Sequence, residues 1–206
     1  MRNVCVITIA GLLLLGCNHG NAPSAANFTK AINGYFAEHG EACTAIGRQF
    51  PIDVPVSQHY GIGSQLSVLA RVGLLQVTDT TAVVHGMFDA LRGPEPPERV
   101  KRYELTEEGE KYFGTISGTL GPNTGFCYGQ KSVASIVKWT TPVLIGGSSQ
   151  TEVTYTYKIL YLPAWAARAD VQQMFPDIGT MVRGQSKVIE IAGVQLTNDG
   201  WKVPGQ

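Results

Sequence analysis

The chain predicts an α+β protein in two parts: a helix-bearing half over residues 28–120, and an antiparallel, β-rich half over residues 121–206. Three observations lead there. Phe28, Ile32, Tyr35 and Phe36 recur at helical spacing. Residues 151–160, TEVTYTYKIL, alternate apolar and polar as a half-buried strand does. Between the two lies Gly121-Pro122-Asn123-Thr124-Gly125, a turn-rich stretch that reads as a boundary.

Residues 28–39 (FTKAINGYFAEH) predict the first helix, with Asn27 or Thr29 as its cap and Gly40 as its stop. Residues 49–56 (QFPIDVPV) read as extended, because each proline steers the residue before it away from helix. A second helix is expected over 63–72, where Ser64 can cap, Leu66, Leu69 and Ala70 share a face, and Gly73 ends the run. Leu74-Leu75-Gln76-Val77 then begins a strand. Further on, Thr106 caps another helix, Glu107 and Glu108 complement its positive end, and Leu105 packs inward. Gly109 inside that helix carries a propensity cost.

In the second half, residues 126–140 form one long or bent strand carrying Val133, Ile136, Val137 and Trp139. Ile145-Gly146-Gly147-Ser148-Ser149 is a turn. Along 151–160, Val153, Tyr155, Tyr157 and Ile159 face one way, while Thr154, Thr156 and Lys158 face the other. Pro163 opens a helix with Trp165, Ala166, Ala169, Val171 and Phe175 available for packing. Residues 187–196 are a further strand, and Asn198-Asp199-Gly200 turns the chain toward Trp201. The order strand, strand, helix, strand, strand predicts an antiparallel sheet with one packed helix.

The run SQLSVLARVGLLQV, a variable loop, and then GPEPPERVKRYELTEEGEKYF resembles the second half of a winged-helix domain, over residues 62–113. In that family a helix ends in Gly-Leu-Leu, a two-stranded wing follows, and Tyr-x-Leu-Thr-x-x-Gly opens the next helix. The resemblance implies a shape; the charges argue against the usual DNA function. From Ile62 to Val77 the only charged residue is Arg71. Between Arg92 and Lys111, five basic residues are interleaved with six acidic ones. Phosphate binding needs a cationic surface, so no nucleic-acid partner is expected.

Arg2 precedes an apolar run, residues 4–15, that is shorter than the ~20 residues of a membrane-spanning helix. This is the pattern of an export signal. The run ends Leu14-Leu15-Gly16-Cys17, which resembles the bacterial lipobox, with Leu15 where the family usually has Ala or Ser. The resemblance implies cleavage before Cys17 and acylation of its thiol, with residues 1–16 as signal peptide. Asn18, rather than Asp, implies the outer membrane, facing the periplasm. Residues 17–27 read as a small, polar tether that includes His19. The stretches FCYGQKSVASIVKWTTPV, TEVTYTYKI and PAWA also resemble a set of Gram-negative lipoproteins, over most of the mature chain. That likeness implies no activity.

Formal net charge is 16 − 16 = 0, and removal of Arg2 with the signal makes it −1. No basic excess exists to draw a polyanion. Of four cysteines, Cys5 leaves with the signal and Cys17 is the lipid site, so Cys43 and Cys127 remain as an expected disulfide. No CxxC, HxH or HExxH occurs, and no metal or other cofactor is expected. Ser135-Ile136-Val137-Lys138 fits Ser-x-x-Lys but falls in a strand-like run, whereas that motif works at a helix start. His59 and His85 have no nucleophile at readable spacing, so no catalytic residue is assigned. Trp139, Tyr155, Tyr157 and Trp165 are the aromatic candidates for a ligand groove, although their spacing equally suits core packing. The expectation is a non-enzymatic envelope lipoprotein that binds a protein or an envelope component. Two alternatives stand: an immunity or inhibitor lipoprotein against an envelope toxin or hydrolase, and a hydrolase whose residues converge only in the fold.

Overall fold

The computed structural model describes residues 21–58, 60–84, 96–118 and 121–205. Helix and strand are mixed throughout. Helix α1 (Ala25–His39) is followed by β1 (Glu41–Ala45), β2 (Ile52–Pro55), α2 (Ile62–Arg71), β3 (Leu75–Ala82) and β4 (Glu98–Leu105). A single-turn helix α3 (Glu107–Glu110) leads to β5 (Phe113–Gly118), β6 (Gly121–Trp139), β7 (Val143–Ile145) and β8 (Ser148–Leu160). Three short helices follow, α4 (Ala164–Ala167), α5 (Ala169–Met174) and α6 (Pro176–Gly184), and then β9 (Ile189–Thr197) and β10 (Gly200–Lys202).

The strands make two antiparallel sheets. The larger, curled sheet has seven strands in the order β1-β6-β8-β9-β10, with β5 on β6 and β7 on β8. Its axis is β6, which runs 19 residues. Gly125 and Phe126 pair with β1 on one side and β5 on the other, and Gln130 to Trp139 continue along β8. The smaller sheet has the order β2-β4-β3, with α2 between its first two strands in sequence. Residues 28–120 and 121–206 therefore share one sheet, because β1 and β5 belong to the first stretch and β6 to the second.

Buried side chains form two clusters. In one, the Phe28, Ile32 and Phe36 stripe of α1 packs on Val133, Val153, Tyr155, Val194 and Trp201. In the other, Leu66 and Leu69 of α2 join Tyr103, Phe126, Tyr128, Tyr157, Ile159, Trp165, Phe175 and Ile178. The face expected to be apolar in 151–160 is buried, at Val153, Tyr155, Tyr157 and Ile159, but Thr156 on the opposite face is buried as well, against the Ser135 hydroxyl. The first two face α1 and the last two face the second cluster, so one strand face serves both.

Several local expectations are corrected. The first helix begins at Ala25, and Ser24 caps it by accepting from the Asn27 amide. Neither Asn27 nor Thr29 is the cap, because the helical path continues one turn further back. Helix α2 begins at Ile62 behind Gly61, at φ 72°, with no side-chain cap at that position. Residues 121–125 are not a boundary turn; they are the start of β6, with Pro122 opposite Ser117. Proline is tolerated near the first residue of a strand, where its missing N–H is not required. The single helix expected after Pro163 is three helices. Arg168 is extended, at ψ 140°, and Phe175 precedes Pro176, which disfavours helical backbone at Phe175. Together with α1, the sheet therefore carries several helices rather than one.

Candidate functional site

A 440 Å³ groove lies between α2 and the face of β2 and β4. Its lining includes Val54, Val68 and Tyr103, with Met174 of α5. Alternation puts Val54 of β2 and Tyr103 of β4 on the same sheet face, because each is buried while its neighbours Asp53 and Arg102 point away. The hydroxyl of Ser67 donates to the Gly63 carbonyl at 2.8 Å. That uses its only proton, so in the 2.9 Å Ser67–Tyr103 contact the phenol donates and Ser67 accepts. Ser67 is thereby held as an acceptor and is not poised as a nucleophile.

The rim is cationic. Arg71 reaches Asp170 at 3.4 Å and Lys101 reaches Asp79 at 3.6 Å. Both pairs are solvent-exposed and long, so each cation remains available to an incoming anionic group. Asp170 is held down to about 2, first by hydrogen bonds from Arg168, and stays charged at any physiological pH. The described lining includes no carboxylate, imidazole or thiol. The arrangement suits binding of a chain or ligand with an apolar body and an acidic group.

Of the aromatic candidates, Tyr157 and Trp165 lie in one core cluster and Tyr155 in the other. Trp139 is 40% exposed and meets Phe28 edge-on at 5.3 Å. The fold does not gather the four into one groove. Tyr157 donates to the Met181 carbonyl at 2.8 Å. Trp165 packs among Tyr112, Phe126 and Tyr128, and its indole nitrogen has no hydrogen-bond partner among the described residues. Tyr155 donates to Glu190 at 2.8 Å, and Lys131 sits 2.7 Å from both Glu190 oxygens. The Lys131 ammonium also lies over the Tyr157 ring, 4.6 Å from its centre. Every charge in this half-buried cluster is matched, which ties β6, β8 and β9 together. Burial, and then the Glu190 hydrogen bond, push the Tyr155 phenol well above its ordinary range.

Cys43 and Cys127 are brought together at disulfide distance, directly opposite each other in the β1–β6 register. Glu41 lies beside them, but sulfurs joined in a disulfide carry no thiolate charge for a cation. Ser135 and Lys138 lie on β6, and the Ser135 hydroxyl meets that of Thr156 at 2.8 Å. Cys17, His19, His59 and His85 lie outside the described residues. Sequence reasoning missed Ser67, Arg71, Lys101 and Tyr103. They come from α2 and β4, and no local spacing announces that those elements face each other. Comparison with known protein families, characterised proteins and solved structures found no match.

Proposed function

We propose that this chain is a lipid-anchored protein of the bacterial cell envelope, acylated at Cys17 and facing the periplasm from the outer membrane. Its role is to bind a partner protein or an envelope component, without catalysis. The observation that carries the binding role is the groove under α2, with a partly apolar lining and two loosely paired cations. The cysteine pair supports export, because disulfides persist in oxidising compartments. The strand order β2-β4-β3, with α2 before the β3–β4 hairpin, supports the likeness of residues 62–113 to a winged helix reused as a scaffold.

The test is in-membrane cross-linking followed by capture, comparing the native chain with the double substitution Arg71→Glu and Lys101→Glu. Both side chains are exposed, so the fold should survive, as circular dichroism would verify. The expected result is loss of most of the captured partner from the variant. An unchanged partner set would reject the groove as the recognition surface.

A further inference from the structure

Strand β7 presents three consecutive apolar side chains to solvent: Val143 at 55%, Leu144 at 77% and Ile145 at 54% exposure. Successive side chains of a strand point to opposite faces, so a half-buried strand would hide at least one of them. β7 hides none. Its hairpin to β8 closes through Gly146 and Gly147, at φ 58° and 84°. Two positive angles in a two-residue loop are what a type I′ turn requires, so the tip has a defined shape. No charged residue occurs between Lys138 and Glu152. An uncharged apolar tip can leave water without desolvating a charge.

The N-terminal side of the chain meets the fold at the same end. The Trp201 indole donates to the Asn21 carbonyl at 3.1 Å. Phe28 touches the rings of both Trp201 and Trp139, at 5.1 and 5.3 Å. Trp139 leads through Thr140, Thr141 and Pro142 into β7. Pro204, three residues after Trp201, lines the same hollow as Val143 and Ile145. From Cys17 to Asn21 the chain can span at most ~14 Å. A lipid on Cys17 therefore keeps Asn21, Trp201 and the hairpin close to the bilayer surface.

We propose that the tip of the β7–β8 hairpin inserts shallowly into the lipid interface beside the anchor, with Trp139 at the headgroup level. This rests on the lipid-anchor reading above. The apolar residues leave water, the indole takes the position tryptophan favours at membrane boundaries, and the fold is held in one orientation over the membrane. The groove under α2 is then presented at a fixed attitude instead of swinging on a tether.

An environment-sensitive fluorophore attached at position 144 through Leu144→Cys tests this. The site is exposed, so folding should be undisturbed, and Cys43 and Cys127 stay bonded to each other. The full lipidated chain is placed in vesicles of phosphatidylethanolamine and phosphatidylglycerol, and the Cys17→Ala form is mixed with the same vesicles. The expected result is a blue-shifted emission and loss of most iodide quenching in the anchored protein. Unchanged emission and quenching in vesicles overturn the proposal and leave the anchor standing. Should Cys17→Ala fractionate with membranes as the native chain does, the anchor reading fails, and the fluorophore on that form still reads the hairpin: a blue shift supports insertion and its absence refutes it. A shift that grows with protein concentration without vesicles would indicate a second copy on the tip, and would overturn it.

Discussion

Gly109 illustrates how a residue's meaning depends on what it touches. By helix propensity alone, alanine there would be favoured by ~1 kcal/mol. A Cβ at this position would instead overlap the carbonyl oxygen of Leu74, which accepts from the Thr106 amide at 3.1 Å. Thr106 also donates its hydroxyl to the Gly73 carbonyl at 2.7 Å and accepts from the Gly109 amide at 3.0 Å. The Leu-Thr-x-x-Gly signature is thus a clamp on the turn after α2. Gly109→Ala should destabilise by about 1–3 kcal/mol, the range for overpacking against immovable neighbours. A urea midpoint equal to or above that of the native chain would contradict this. Tyr155 carries a second residue-scale prediction. Its phenol is raised above its unfolded value of about 10, so the folded state keeps its proton longer than the unfolded state does. The associated stability is present below about pH 10 and is lost as pH rises beyond it. Tyr155→Phe should lower stability at pH 8 and flatten the fall between about pH 9 and 11. Urea titrations across that range would show the two curves converging, and parallel curves would reject the assignment.

Among the elements, those with strong periodicity were legible and those set by a distant partner were not. The alternation in 151–160 predicted the core-facing side of β8, because one sheet face meets core along that stretch, but it did not predict that Thr156 on the other face is buried too. The long strand β6 was also legible, but its first residues read as a turn because Gly121, Pro122 and Gly125 dominate them. Their true state depends on β1 and β5, which flank them in space. The helix expected after Pro163 was split by the extended Arg168 and by Pro176, the latter visible in the sequence as a breaker. The cysteine pair was legible by elimination of Cys5 and Cys17, whereas its place in the β1–β6 ladder was not. At 84 residues apart, the cysteines close a loop whose restriction in the unfolded chain contributes about 4.5 kcal/mol by the loop-entropy estimate. Cys43→Ser with Cys127→Ser should lower the unfolding free energy by about 2–5 kcal/mol. Equal stability of the two forms in denaturant titration would show that the bridge is absent or idle.

For the whole molecule, the two stretches that the turn-rich segment at 121–125 divides in sequence are interleaved by strand pairing. β1 and β5 reach from one stretch onto β6 of the other, and α1 packs across β6 and β10. The candidate groove assembles from α2, β2, β4 and Met174, elements spread from residue 54 to 174. Such a site leaves no signature in a local window, which is why the aromatic residues attracted attention and the groove did not. The proposed function rests on location: a near-neutral chain whose apolar hairpin tip lies beside the proposed anchor is expected at a membrane, facing a partner. Among the described residues no helix is long and apolar enough to cross a bilayer, and the attachment proposed above is through Cys17. The most direct measurement is labelling of growing cells with radioactive palmitate, read together with membrane fractionation, for the native chain and Cys17→Ala. The anchored account predicts label and membrane recovery for the native chain, and loss of both in Cys17→Ala. Unlabelled native protein, or a variant that stays with the membrane fraction to the same extent, would contradict it.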